Sequence, residues 1–522
     1  MKNRKWEILI ISIVLVIQTI IFAIAGANKE YIHMDEAYSL GLANYDKVEI
    51  QDSEDFYNQW HNGEYYEDYL AVQDKDVGEY KQVYENQKND VHPPIYYLLL
   101  RIAMGFSINN YSKWPGIILN MIIYIFITIF MYLILQKLFE GKLYNKEKTI
   151  ILAFVSSITM ASLTNVIYIR MYALSALNIL ITTFLHMKLL DSENLEPKLL
   201  VTIGISALIG SLTHYYYLFY LAMMYITFAI KYIKEKRYKD LIYYTITMCI
   251  AGIVSLIIFP YSIQHMFFGY RGQGVISKLT NIPQFAQSIS DYLKKVNRFA
   301  FNNLMNIIIL AILFFIIFKL IKKQKIMKEK NKYINHILFS MLFYFGLVAV
   351  ASPWIELRYI MPVCGLIFVV AMFYFEQIVC KFSEKTNNII MIITLVVILV
   401  SPIVFKIEPE VAYTDKKEIV SQLGNELNVP TLYLFNSGHN RFLDDILLFS
   451  ILDESYVAKD LECTEENIQN ILEGKDISKG IVVFINEGQE NDPKLQTIVN
   501  ALNLQKWTYL KRLNACDVYY LD

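Results

Sequence analysis

Charge is what this 522-residue chain has least of. Only 19% of its residues are Asp, Glu, Lys or Arg, while 55% carry hydrophobic side chains and mean hydropathy is +0.34. Intrinsic disorder of the bulk of the chain is excluded, and so is a plain cytosolic enzyme. Cysteine is also scarce, and the five present (Cys249, Cys364, Cys380, Cys463, Cys516) form no CxxC pair. The first three lie in apolar segments and read as small buried side chains. Cys463 and Cys516 are able to pair if the tail is extracytoplasmic, but sequence supplies no distance between them. GxGxxG and P-loop motifs are missing, which leaves nucleotide binding unsupported. An internal repeat is missing too, which weakens a transporter built from inverted repeats. What remains is a polytopic α-helical membrane protein.

Apolar stretches near the roughly 20 residues needed to cross a bilayer occur at 7–27, 115–137, 149–167, 172–190, 198–213, 215–232, 240–260, 301–320, 333–351, 358–378 and 387–405, about eleven transmembrane helices in all. The stretch 94–106 is shorter and contains Arg101, which suits a re-entrant or interfacial helix. Lys/Arg placement orients the set. With the N-terminus inside, Lys137 to Lys148, Lys231 to Lys239, the seven lysines from Lys319 to Lys332, and Lys381 with Lys385 all face the cytoplasm. If 94–106 crossed fully, every later basic cluster would fall outside. The first span has cleavage-like Ala23-Ile24-Ala25 and Ala25-Gly26-Ala27, but its apolar core is long for a signal peptide.

Two domains follow: a multispan transmembrane catalytic domain at 1–406 and an extracytoplasmic α/β domain at 407–522. The net charge of −1 conceals −10 in the tail and +9 before it. In the tail, 429–435, 455–458 and 480–485 read as strands, and 441–452, 465–472 and 494–502 as helices. A final hairpin at 507–520 completes it, so an open, largely parallel sheet is expected. The first outer loop, 28–93, has 16 acidic against 5 basic residues. A transporter needs no such loop, whereas an enzyme working at that surface does.

Under this topology five polar patches meet the outer face: His33-Met34-Asp35-Glu36, Asp90-Val91-His92-Pro93-Pro94, Tyr168-Ile169-Arg170-Met171-Tyr172, Thr213-His214-Tyr215-Tyr216 and Glu356-Leu357-Arg358-Tyr359. Charges at membrane depth cost roughly 2.5–3.5 kcal/mol on insertion scales, so they default to functional or paired roles. The ordered set Asp35-Glu36, His92-Pro93-Pro94 followed by Tyr-Tyr-Leu-Leu-Leu, Arg170-x-Tyr172 and Arg358-Tyr359-x-x-Pro362 resembles the multispan GT-C glycosyltransferases, which use polyprenyl-phosphate sugars. These include protein O-mannosyltransferases and lipid A aminoarabinose transferases. The resemblance covers about residues 1–380, and no subfamily is indicated.

The chemistry fits independently. A lipid-phosphate sugar has an anionic leaving group that needs cationic or hydrogen-bonding stabilisation, and its acceptor hydroxyl needs a general base. Asp35 is the first candidate base, as the resemblance also implies; the competing reading is that Asp35 caps a helix beginning at Glu36. Glu36 is the second catalytic candidate, set to orient the acceptor or a metal, against a solvated first-turn carboxylate. His92, Arg170, Tyr172, Arg358 and Tyr359 are the candidates for the donor phosphate. Against them stand interfacial snorkelling of the arginines, an Arg358–Glu356 pair, local structure before Pro-Pro, and interfacial aromatics. His214 is a weaker candidate, and Arg271, in the Gly-rich outer loop 261–300, sits where a lid could form. A divalent metal is left open, with His33, Asp35, Glu36 and His92 as its ligand set; relatives differ in whether they use one. No other cofactor is indicated.

The leading reading is therefore a cell-membrane glycosyltransferase. Its partners would be a polyprenyl-phosphate sugar donor, an extracytoplasmic acceptor (lipid, polysaccharide or protein) and the bilayer, with no nucleic acid. Inversion at the anomeric carbon follows from direct attack. A transporter or lipid flippase is the alternative, and a membrane scaffold whose tail binds a partner is the third reading.

Overall fold

The computed structural model describes residues 2–140, 145–268, 282–323, 325, 331–379, 384–411, 417–437, 441–486, 491–513 and 516–522. Its contacts separate two compact units. Unit 1 comprises Met1–Gly26, Asp90–Tyr96 and Ile117–Glu410; unit 2 comprises Ala27–Asn89, Tyr97–Gly116 and Val411–Asp522.

Unit 1 is helical, and its helices make the chain a multi-pass membrane protein. Among the described residues seven helices are long and apolar enough to cross a bilayer: Lys5–Ala27, Trp114–Leu138, Tyr172–Asp191, Tyr238–Ile258, Ile334–Ala351, Met361–Ile378 and Thr386–Phe405. Two bent pairs raise the number to nine, against the eleven expected from sequence. The difference has local causes. Pro197–Ser211 is too short, and Tyr217–Lys234 dilutes its apolar character with four tyrosines and two lysines. The expected span 149–167 is a bent pair, Lys146–Ser157 and Met160–Ile167, turned by 57°. The break is capped: Thr159 accepts from the Ser162 N–H at 3.3 Å, and the Ser156 and Ser157 hydroxyls donate back to the Ala153 carbonyl at 2.8 Å. Such side-chain competition with the helix ladder bends or ends helices.

Unit 2 is built on one six-stranded sheet. Its strands are β1 (Trp60–His61), β2 (Thr431–Phe435), β3 (Ser455–Lys459), β4 (Ile481–Asn486), β5 (Trp507–Leu513) and β6 (Cys516–Leu521), in the order β1-β3-β2-β4-β6-β5. The tail contributes the expected strands, and helix Glu465–Leu472 lies where its periodicity predicts. The sheet is mixed rather than largely parallel: only β3-β2-β4 run parallel, and the three remaining pairings are antiparallel. β4, parallel to β2 and antiparallel to β6, is buried at every position, as a strand covered on both faces is. One face packs Ile468, Leu472, Leu495 and Ile498 from two helices.

The loop 28–93, expected to face outside, contributes to this sheet. Trp60 pairs with Tyr456 and His61 with Ser455, and the Trp60 indole N–H donates to the Ile471 carbonyl at 3.0 Å. Tyr66 hydrogen-bonds Ser455 at 2.8 Å and packs on Phe449, while Phe56 packs edge-on against Phe442. The short apolar stretch forms helix Ile95–Met104. Its Arg101 is buried and donates to the carbonyls of Ala43, Asn44 and Asp76, the first two being orphan acceptors at the C-terminus of helix Met34–Asn44. Cys463 and Cys516 are both free thiols. Cys516 donates to the Tyr433 hydroxyl at 2.9 Å.

Candidate functional site

In unit 1 the His-Pro-Pro segment leads directly into helix Ile95–Met104, and the Ile95 N–H donates to the Leu212 carbonyl at 3.2 Å. His92 is buried. Its Nδ1 lies 2.7 Å from the Asp90 carboxylate, and its Nε2 lies 3.5 Å from Arg170 Nη2. Guanidinium groups only donate, so Nε2 offers its lone pair and Nδ1 carries the proton. A second proton on the ring would set two donors face to face. Burial works against the Asp90 carboxylate, but His92 and then Arg170 outweigh it and hold its pKa below the ordinary 3.8.

Arg170 is itself buried and sits on a tight turn. Its N–H donates to the Tyr168 carbonyl at 2.7 Å. That carbonyl also accepts from Asn120 Nδ2 at 2.8 Å, and the same amide reaches the Val166 carbonyl at 3.1 Å. The Tyr96 hydroxyl donates to Asn120 Oδ1 at 3.3 Å. One amide inside the apolar helix Trp114–Leu138 thus ties the Arg170 turn to the start of the His92 helix.

Aromatic rings join the second arginine to the first. Tyr168 and Tyr172 stack with planes 5° apart. Arg358 Nη1 donates to the Tyr168 hydroxyl at 3.3 Å and Nη2 to the Tyr359 hydroxyl at 3.4 Å. Tyr359 is buried on the short turn Leu357–Tyr359, and the Tyr344 hydroxyl holds its carbonyl at 2.8 Å. His214 is buried, with its ring 5.4 Å from Tyr172, 6.4 Å from His92 and 4.9 Å from Tyr216. A Cβ at Gly210 would lie 2.3 Å from the Tyr217 ring, so only glycine lets that ring lie against the helix end that precedes His214. Glu356 lies 3.9 Å from Lys295. Unit 1 therefore brings together His92, Arg170, Tyr172, His214, Arg358 and Tyr359, drawn from four separate connections. Arg358 is the half-buried member, a guanidinium at the edge of a buried aromatic cluster.

His33, Asp35 and Glu36 lie in unit 2, where they start helix Met34–Asn44. The N-cap is His33 and not Asp35, which corrects the capping alternative. His33 Nδ1 accepts from the Asp35 N–H at 3.0 Å, and the His33 N–H donates to Glu36 Oε2 at 2.9 Å, a capping box. The Met34 N–H donates to Asp444 at 3.0 Å, and Arg441 holds that carboxylate. Glu36 is fully buried and paired with fully buried Lys29, not solvated. The Asp35 side chain keeps 19% of its surface exposed and lies 3.7 Å from His33 Nδ1, whose lone pair is already taken by the Asp35 N–H.

Among the described residues no group of three or more His, Cys, Asp or Glu side chains is arranged to hold a metal ion. Arg271 lies outside the described residues. Asp90 and Tyr168 belong to the polar patches of the sequence but carry no assigned role there, and Asn120 is not among them. Asp90 stands two residues before His92, and Asn120 is a polar residue inside an apolar span, a signal that was available.

No family model and no curated protein matches the chain. Among solved structures, ArnT from Cupriavidus metallidurans bound to undecaprenyl phosphate aligns over 99% of this chain and 98% of its own, at 7% identity and a TM-score of 0.49. ArnT from the same organism in the apo state aligns over 100% of this chain and 98% of its own, at 8% identity and a TM-score of 0.46.

Proposed function

We propose that the protein is a membrane glycosyltransferase that moves a sugar from a polyprenyl-phosphate donor to an extracytoplasmic acceptor, with inversion. The observation that carries this reading is the buried network in which His92 backs Arg170 while Tyr168 and Tyr359 accept from Arg358. Two forked cations at the ends of apolar helices suit a phosphate that leaves with full negative charge. Tyr172 and His214 pack the cluster and exclude water, which strengthens each charge interaction. The motif order along the chain supports the same reading through its likeness to GT-C enzymes.

Asp35 is the proposed general base, and the state of the other carboxylates supports this reading. Glu36 is neutralised by Lys29 and engaged in the cap, and Asp90 is engaged by His92. Asp35 keeps an accessible face, as a base that takes a proton from an acceptor hydroxyl needs. Glu36 then positions the turn that carries Asp35. The proposed catalytic part is drawn from residues 1–406, of which Ala27–Asn89 and Tyr97–Gly116 fold with the tail in unit 2, and the acidic tail faces outside.

The test uses purified protein in lipid nanodiscs with labelled polyprenyl-phosphate sugar. Transfer is read as free polyprenyl phosphate appearing with a glycosylated acceptor from envelope extract. Movement of the donor between leaflets of proteoliposomes without loss of its sugar would establish the flippase reading instead.

A further inference from the structure

A second cationic site lies in unit 1, sharing none of the candidate site residues above and linked to the Arg358 turn by Lys295, 3.9 Å from Glu356. A cavity of about 470 Å³ is lined by four cations, Lys294, Lys295, Arg298 and Lys406, and by two carboxylates, Glu408 and Glu410. The cations come from two distant segments. Lys294 and Lys295 end helix Ile282–Lys295, Arg298 follows in the turn Val296–Ala300, and Lys406 follows helix Glu384–Phe405. Lys295 is engaged by Glu410 at 2.8 Å and Lys294 by Asp291 at 2.7 Å. Among the described residues Arg298 and Lys406 form no ion pair, so the lining keeps a positive surplus.

The surroundings place this cavity at a membrane boundary. The segment Ile282–Ala300 is turned by 102° from the apolar helix Met305–Ile321. If the latter crosses the bilayer, the former lies along its surface. The bend is built in: Asn302 and Asn303 adopt left-handed backbone, and Asn297 Oδ1 accepts from the Met305 N–H at 3.0 Å. Tyr292 anchors the flat segment through its hydroxyl to Ser352 at 2.7 Å. On the other side, Ile403, Val404 and Phe405 are exposed apolar residues immediately before Lys406. Lys406 has φ +49°, and the Ile407 N–H closes onto the Pro402 carbonyl at 2.9 Å. That helix-ending conformation normally selects glycine or asparagine, so lysine there carries backbone strain.

We infer that this cavity holds the phosphate of an anionic phospholipid from the surrounding bilayer, its acyl chains lying against the exposed apolar turn before Lys406. Cations at headgroup depth gain from each anionic lipid they meet, and a concave site with two cations outside any ion pair fixes one headgroup where a flat lysine patch would not.

The experiment uses the full-length protein in phosphatidylcholine nanodiscs with a trace of pyrene-labelled phosphatidylglycerol, read by quenching from a fluorophore attached beside the cavity. Lys294→Gln/Arg298→Gln/Lys406→Gln should weaken phosphatidylglycerol enrichment by about tenfold or more, while the charge-keeping Lys294→Arg/Arg298→Lys/Lys406→Arg retains it. Unchanged enrichment in the neutral variant would overturn the proposal and leave these residues as snorkelling anchors. Loss in the charge-keeping variant would also overturn it, since charge would then not be the determinant. Displacement of the probe by millimolar inorganic phosphate would transfer the site to a free anion and overturn the lipid assignment.

Discussion

His92 stands between Asp90 and Arg170, with Nδ1 2.7 Å from the carboxylate and Nε2 3.5 Å from the guanidinium. The carboxylate sets the ring's tautomer, and the tautomer decides whether the ring accepts from Arg170 or opposes it. Asp90→Asn keeps the volume and loses the charge. Turnover with the lipid-linked donor should fall by about tenfold to 100-fold, the worth of a charge-assisted hydrogen bond. The depressed Asp90 pKa also sets a pH window. Its stabilising contribution is complete above the ordinary 3.8 and disappears as pH falls through the lower folded value. Wild-type protein should therefore lose more stability than Asp90→Asn in an acid titration below pH 3.8. Parallel acid curves would show that the carboxylate contributes nothing to the folded state.

The two arginines are tested by Lys replacement. A single ammonium cannot reproduce a fork that reaches two hydroxyls, as Arg358 does with Tyr168 and Tyr359. Arg170→Lys and Arg358→Lys should accumulate normally in the membrane and lose about tenfold or more in turnover. Wild-type rates in both variants would assign them to membrane anchoring.

Asp35→Asn separates catalysis from folding cleanly, because His33 supplies the cap. The melting temperature should hold. Turnover should drop by about 10²-fold or more, with donor binding little changed. Normal turnover would remove Asp35 from the mechanism.

The Lys29–Glu36 pair gives a stability test. Both side chains are fully buried. Burial pulls the Lys29 pKa below 10.5 even though Glu36 opposes it, so a lone ammonium there is costly. Glu36→Gln should destabilise the protein by about 3–5 kcal/mol, measured by thermal or denaturant unfolding. Adding Lys29→Met to it should recover most of that loss. A double variant as unstable as the single one would show that the cap, not the charge, carries the energy.

The proposed orientation is checked by single cysteines in a cysteine-free background. Positions Lys75, Glu235, Lys325 and Asn470 should label outside, inside, inside and outside, because each lysine-rich loop then faces the cytoplasm. Labelling at Asn470 only after cells are opened would reverse the assignment.

Apolar length determined the membrane part. Among the described residues the eleven stretches read from sequence fall on helices, but only seven, or nine with the bent pairs, are long and apolar enough to cross a bilayer; composition left open both their length and their continuity. Thr159 shows why: one hydroxyl that accepts a backbone N–H divides a span in two. The polar patches were also legible, since Arg170 and Arg358 are conspicuous beside apolar runs. Their connections were not, because Asn120 joins Tyr168 and Tyr96 across dozens of residues.

The tail's strands were read from hydrophobic pattern, whereas the sheet's edge was not. β1 is two residues long, too short for any alternation to register, and it exists only because β3 offers unpaired backbone groups almost four hundred residues later. The state of the Asp35-Glu36 pair was decided the same way. Sequence supplied two adjacent carboxylates with interchangeable chemistry. Packing buried one against Lys29 and left the other accessible, because desolvating a carboxylate is tolerable only where a cation and a backbone donor meet it, and where those lie is a property of the folded chain.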